Sequence, residues 1–138
     1  MKLNYKFFLH LLLIISFSQN IYSDSSKVIE NLKIEKGFSI EIFAENVDSP
    51  RQIAESSDGN IFVGSRSGGT ISVIDTNKNI RVIAKGLSNS TGVTYHQGDL
   101  YFSEVDSIWK IPNIDDFLLS SEEMPEKVLV TNNLPSDT

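Results

Sequence analysis

The chain has 138 residues, 40% hydrophobic and 22% charged, with 18 acidic against 12 basic side chains and a formal net charge of −6. An acidic surface without a Lys/Arg cluster repels phosphate backbones and anionic lipid, so nucleic acid is excluded as a partner. Cysteine is absent, which excludes disulfides and lipid attachment through an N-terminal thiol and leaves stability to packing or to a ligand.

At the N-terminus, Lys2 and Lys6 lead into the apolar run FFLHLLLIISF (7–17), and the polar stretch after it ends on the small residue Ser23. A basic start, a short apolar run and a small residue at its exit are the marks of a secretory signal peptide. A membrane-spanning helix needs about 20 apolar residues, more than are present. We therefore expect residues 1–23 to be a signal peptide, with export to a periplasm or the medium and no stable membrane anchor afterwards. Without those residues, which hold two lysines and no acids, the charge moves from −6 to −8.

Residues 24–138 read as short strands. FSIEIFAE (38–45) alternates apolar and polar residues, and NIFVGS, TISVID, NIRVIA, TGVTY, DLYFSE, SIWKI and KVLVT follow, each rich in β-branched or aromatic residues. Ser57-Asp58-Gly59, Ser67-Gly68-Gly69, Asp75-Thr76-Asn77 and Gln97-Gly98-Asp99 supply the turns between them. Only NIDDFLLSS (113–121) suggests a helical turn, as an insertion. His96 sits in one of the turns and is expected to be exposed there. Trp109 alternates with Ile108 and Ile111, as a core residue does.

An internal repeat chooses among all-β architectures. Residues 51–87 align with 91–134, placing Gly59 on Gly98, Ile61-Phe62-Val63 on Leu100-Tyr101-Phe102, Ile71 on Ile108, Val82-Ile83 on Val128-Leu129, and Leu87 on Leu134. Four short strands in about 40 to 50 residues is the period of a β-propeller blade. The expected fold is therefore all-β, a β-propeller of about two to two and a half blades, whereas closed propellers have about four to eight. In such blades the loops entering the first strand and joining the second to the third share one face. That face collects Ser49-Pro50-Arg51, Ser65-Arg66-Ser67, Asn89-Ser90-Thr91, Glu104-Val105-Asp106 and residues 135–138, our candidates for ligand contact. Glu104 and Asp106 are expected to be solvated there.

The stretch GFSIEIFAENVDSPRQIAESSDGNIFVGSRSGGTISVID, followed by VIAKGL, TGV and GDLYFSE, resembles the opening of the glucose/sorbosone dehydrogenase family. The resemblance implies a six-bladed propeller, an exported quinoprotein that uses pyrroloquinoline quinone (PQQ) with calcium. Such an enzyme oxidises an aldose or sorbosone-like sugar and passes electrons to an acceptor. By the same resemblance Arg66 pairs with a PQQ carboxylate, and Ser90 and Thr91 stand where the family has polar quinone contacts before a glycine, although family members of the sorbosone type read Pro-Asn-Gly there. The family's histidine base is expected just after Thr138, its calcium ligands belong to later blades, and this chain is expected to form the N-terminal part of the propeller. Two other classes fit the repeat: a non-catalytic propeller module that binds protein or glycan, and a metal-dependent propeller lactonase. The lactonase places a Glu at the head of its first blade, where this chain reads Pro50-Arg51-Gln52.

Overall fold

The computed structural model describes residues 25–121 and 123–135, so the expected signal peptide lies outside the described residues. The described residues divide into two units between Ile42 and Phe43. In the first, α1 (Ser25–Glu30) runs into a turn in which Leu32 N–H donates to Ile29 O at 3.0 Å.

The strand expected over residues 38–45 is not formed, a correction to the sequence reading. Its apolar residues stand in solvent, with Phe38 78% and Phe43 47% exposed. Alternation describes side chains only; a strand also needs a neighbouring edge to take its backbone donors and acceptors. No ladder among the described residues supplies one.

The second unit is built from two successive four-stranded antiparallel meanders. The first sheet runs in the order β1 (Pro50–Glu55), β2 (Ile61–Ser65), β3 (Thr70–Ile74) and β4 (Ile80–Lys85). The second is β5 (Val93–His96), β6 (Asp99–Ser103), β7 (Ile108–Ile111) and β8 (Val128–Thr131). Each strand lies beside its sequence neighbour, which is the up-and-down order of a propeller blade. The helical insertion is α2 (Ile114–Ser120), between β7 and β8. The fold is therefore all-β, a partial β-propeller of two blades.

Ladder register refines the repeat. Ile71 pairs with Ala84 and Ser72 with Val82, so Ile83 is an extra, bulged residue; Ile108 pairs with Thr131 and Trp109 with Leu129, so Val130 is the bulge in the second sheet. The outer strands thus match as Ile83 on Val130, one residue off the sequence alignment. A β-bulge is invisible to hydrophobic pattern, because it changes pairing without changing composition.

One core joins the two sheets. Phe62, Ile71, Val73 and Ile83 from the first meet Val93, Leu100, Phe102 and Ile111 from the second, all no more than 3% exposed. Phe62 stacks on Tyr95 with ring centroids 6.3 Å apart, and Trp109 packs against the edge of this cluster. Burial of such side chains contributes about 1.5–3 kcal/mol each before the entropy of ordering is subtracted.

At the end of the sheets away from Arg66, polar bonds tie the blades together. The nearly buried Asp115 carboxylate accepts from Tyr95 Oη at 2.7 Å and from Asn60 Nδ2 at 3.1 Å. Arg81 donates to Ser121 O at 2.6 Å. Within the second blade, Lys110 Nζ lies 2.7 Å from Asp99 Oδ2, and Asn113 N–H donates to Asp99 Oδ1 at 3.0 Å. The Lys110 hydrogen bond, with that backbone donor, holds the Asp99 carboxyl below its usual range, and Asp99 in turn raises Lys110.

Candidate functional site

The face picked out from sequence is real in the fold. The loop preceding β1, the β2–β3 hairpin, the β4–β5 connection, the β6–β7 loop and the residues directly after β8 all lie at the same end of their antiparallel sheets, while the candidates Ser136, Asp137 and Thr138 lie outside the described residues. Arg66, in the hairpin, is exposed and has neither a hydrogen bond nor an ion pair among the described residues.

The backbone that carries Arg66 is held from every side. Gly68 N–H donates to Ser65 Oγ at 3.0 Å, and Leu87 N–H donates to Gly69 O at 3.0 Å. Ser67 Oγ donates to Ser49 Oγ at 2.9 Å, which donates to Asp48 Oδ1 at 2.9 Å. Gly69 adopts φ +59°, a left-handed conformation that other residues take at a cost, and a Cβ there would lie 2.6 Å from Leu87 O. The result is a rigid hairpin carrying one uncommitted guanidinium.

Ser90 and Thr91 divide the tasks that were assigned to them together. Ser90 is fully buried, and its hydroxyl donates to Ser65 O at 3.0 Å, with Thr70 O 3.3 Å away. Those carbonyls are the two ends of the β2–β3 hairpin, so Ser90 clamps the loop that presents Arg66. Thr91 is half-buried; its N–H donates to Asn89 O at 2.7 Å, and its hydroxyl bonds no described residue. The strap 90–91 lies directly on β2 because Gly64 leaves room for it: a Cβ at Gly64 would meet Thr91 O and stand 2.9 Å from Ser90 O.

Arg51 occupies the same place in the first blade as Thr91 in the second. Ser49 and Asn89, each two residues earlier, both adopt the left-handed backbone region, φ 45° and 52°. Pro50 pairs with Ser65 and Gln52 with Gly64, so Arg51 is the bulged residue of β1. Bulges of this kind re-aim a side chain at the rim of a sheet. Arg51 is exposed and, like Arg66, unbonded among the described residues.

Glu104 departs from the solvated role expected for it. Its carboxylate accepts from Ser88 N–H at 2.8 Å and lies 3.5 Å from Lys127 Nζ, with only 13% of the side chain exposed. Lys127 in turn stands 4.1 Å above the Trp109 ring. Glu104 therefore fixes the β4–β5 connection, while Asp106 remains exposed. His96 is exposed in its hairpin. Among the described residues no group of three His, Cys, Asp or Glu is placed to hold a metal ion, and no helix is long and apolar enough to cross a membrane.

At the opposite end, a cleft of about 450 Å³ opens between the β3–β4 turn and α2, lined by Asn60, Asp75, Asn77, Arg81 and Leu118. The Asp75 carboxylate is already bonded to Asn79 Nδ2 and to the Asn77 and Asn79 N–H groups at 2.8–2.9 Å. Those bonds, the Asn79 side chain first, hold it below the usual carboxylate range.

No protein-family profile matches the chain. An uncharacterized protein of Borreliella burgdorferi is 38% identical over 94 residues, which are 67% of this chain and 24% of that protein. The chain therefore spans about a quarter of that relative. Among solved structures it is similar to the PQQ-bound form of an aldose sugar dehydrogenase from Streptomyces coelicolor, at 18% identity and TM-score 0.45. That similarity covers 65% of this chain and 32% of the other.

Proposed function

We propose that the chain supplies the first two blades of an exported quinoprotein dehydrogenase, in which the β2–β3 hairpin contributes to holding PQQ. Arg66 carries this reading: a guanidinium with no internal partner on a hairpin braced by Ser65, Ser90, Ser49 and Leu87. A carboxylate of PQQ suits that group, because a guanidinium fork pairs a carboxylate bidentately and a pre-braced loop loses little freedom on binding. Thr91, with an uncommitted hydroxyl, is a second contact, and Ser90 acts through the hairpin it clamps. When bound, PQQ accepts the electrons taken from the sugar. The residues described here bind and orient it.

The basic start and apolar run of residues 7–17 support export to a periplasm or the medium. Calcium and the histidine base of the full enzyme fall to segments other than those described. The substrate in this reading is an aldose or a related sugar aldehyde, oxidised to a lactone or acid. Titration of PQQ into the purified protein, followed by quinone absorbance, is expected to saturate. Arg66→Gln should weaken binding about tenfold or more, as befits loss of one charge-assisted hydrogen bond. Absence of saturable PQQ binding at millimolar concentration overturns the reading.

A further inference from the structure

The second blade's ligand-facing position is Thr91, and its counterpart in the first blade, Arg51, has no role in the reading above. The unit of residues 43–138 holds seven Lys and Arg residues. Arg81 bonds Ser121 O, Lys110 pairs with Asp99, Lys127 pairs with Glu104, and Lys78 stands over Phe43. Arg51, Arg66 and Lys85 have no partner among the described residues, and all three lie at the ligand-facing end of the first blade. In a chain of net charge −6, cations are more readily neutralised than left open. Their collection at one end is what an anion-binding surface requires.

The two arginines stand on neighbouring backbones. Pro50 pairs with Ser65 in an antiparallel ladder, and Arg51 and Arg66 are the residues that follow each of them, so they lie diagonally across the ladder with backbones about 7–8 Å apart, within the reach of two long side chains on one small ligand. Lys85 is on the outermost strand, three strand spacings from β1. The Ser67–Ser49 bond joins the two segments directly, tying the hairpin of Arg66 to the residue two before Arg51. Asp48, the nearby carboxylate, is engaged by Ser49 Oγ. The hairpin under Arg66 is held by the Ser65, Ser90 and Ser49 bonds, and the bulge sets the position of Arg51 beside it.

We propose that Arg51 and Arg66 together form a two-guanidinium site for a small molecule bearing two or more carboxylates. The site rests on geometry independent of the quinone, but where the cofactor reading holds it deepens it by giving PQQ a second cation. A sugar acid, the product class of sugar oxidation, bears a single carboxylate and engages one guanidinium, so it serves as the weaker comparison.

Calorimetric titration of the full chain at low salt separates these possibilities, using citrate, PQQ, gluconate and glucose as probes. Citrate and PQQ are expected to bind one to one and glucose not at all. Arg51→Gln and Arg66→Gln should each weaken citrate and PQQ about tenfold or more, and Lys85→Gln less than about twofold. Arg51→Lys, which keeps the charge and loses the fork, should restore part of the loss. PQQ tighter than citrate places the carboxylates on the aromatic cofactor; gluconate as tight as citrate overturns the requirement for two carboxylates. Citrate that responds to both arginines while PQQ fails to bind overturns the cofactor reading and sustains this site. Citrate affinity unchanged in Arg51→Gln overturns the site, even where PQQ still binds through Arg66. Both side chains are exposed, so the variants should melt at the parent temperature, which checks that they fold.

Discussion

Ser90, a candidate quinone contact by resemblance, turns its hydroxyl inward onto the hairpin backbone. The pattern Ser90-Thr91-Gly92 marks a strap at the ligand-facing end, but sequence does not say which hydroxyl turns inward. Full burial and two carbonyl acceptors decide it. Ser90→Ala should cost about 1–3 kcal/mol of stability, the penalty for stranding buried acceptors, measured by urea denaturation, and should speed amide exchange at Gly68 and Gly69. Stability unchanged within about half a kcal/mol would remove Ser90 from this role. Arg66 was singled out through the family resemblance, whereas Glu104 was misjudged because its donors, the Ser88 N–H and Lys127, come from distant parts of the chain.

Asp99 and Lys110 give the fold a pH signature. The Asp99 carboxyl is lowered in the folded state, so its contribution is present above the unfolded value of about 3.9 and is lost as pH falls through the lowered folded value. Lys110 is raised, so its contribution is present below about 10.4 and is lost as pH rises through the folded value. Asp99→Asn should therefore narrow the fall in Tm between pH 6 and pH 3 compared with the parent protein. A variant with the same acid slope would show that the pair contributes nothing to folding.

At the scale of elements, the seams depend on close approach. Gly64 in β2 lies under the 90–91 strap, and an alanine methyl would press against backbone oxygens that cannot rotate away. Gly64→Ala should cost about 1–3 kcal/mol, typical of overpacking, and loosen the hairpin carrying Arg66; an unaltered melt would contradict the strap's position. Seven of the eight strands, β2 to β8, were readable from β-branched runs and turn residues, β1 only through the repeat, and α2 from its insertion. The segment 38–45 was not, because its pattern matches a strand while the ladder partner that makes one is missing among the described residues. The bulges at Arg51, Ile83 and Val130 were hidden for a related reason: they live in pairing, which no single strand encodes.

For the molecule as a whole, the repeat in the sequence and the repeat in space agree because both arise from one unit, a four-stranded meander that buries a face only against a neighbour. Phe62, Ile71 and Ile83 on one sheet meet Leu100, Phe102 and Ile111 on the other, and the candidate loops gather at a single end of the sheets. Two arginines without a partner among the described residues stand at that end of the first blade, and the third, Arg81, is bonded to Ser121 at the other end.

The most direct measurement follows the Nε–Hε resonances of the three arginines by NMR as PQQ is added. Arg51 and Arg66 should shift along one saturation curve, together with the backbone amides of residues 67–69, while Arg81 stays in place. A shift of Arg81 alone, or saturation with neither Arg51 nor Arg66 moving, would contradict the placement of the ligand at the rim of the first blade.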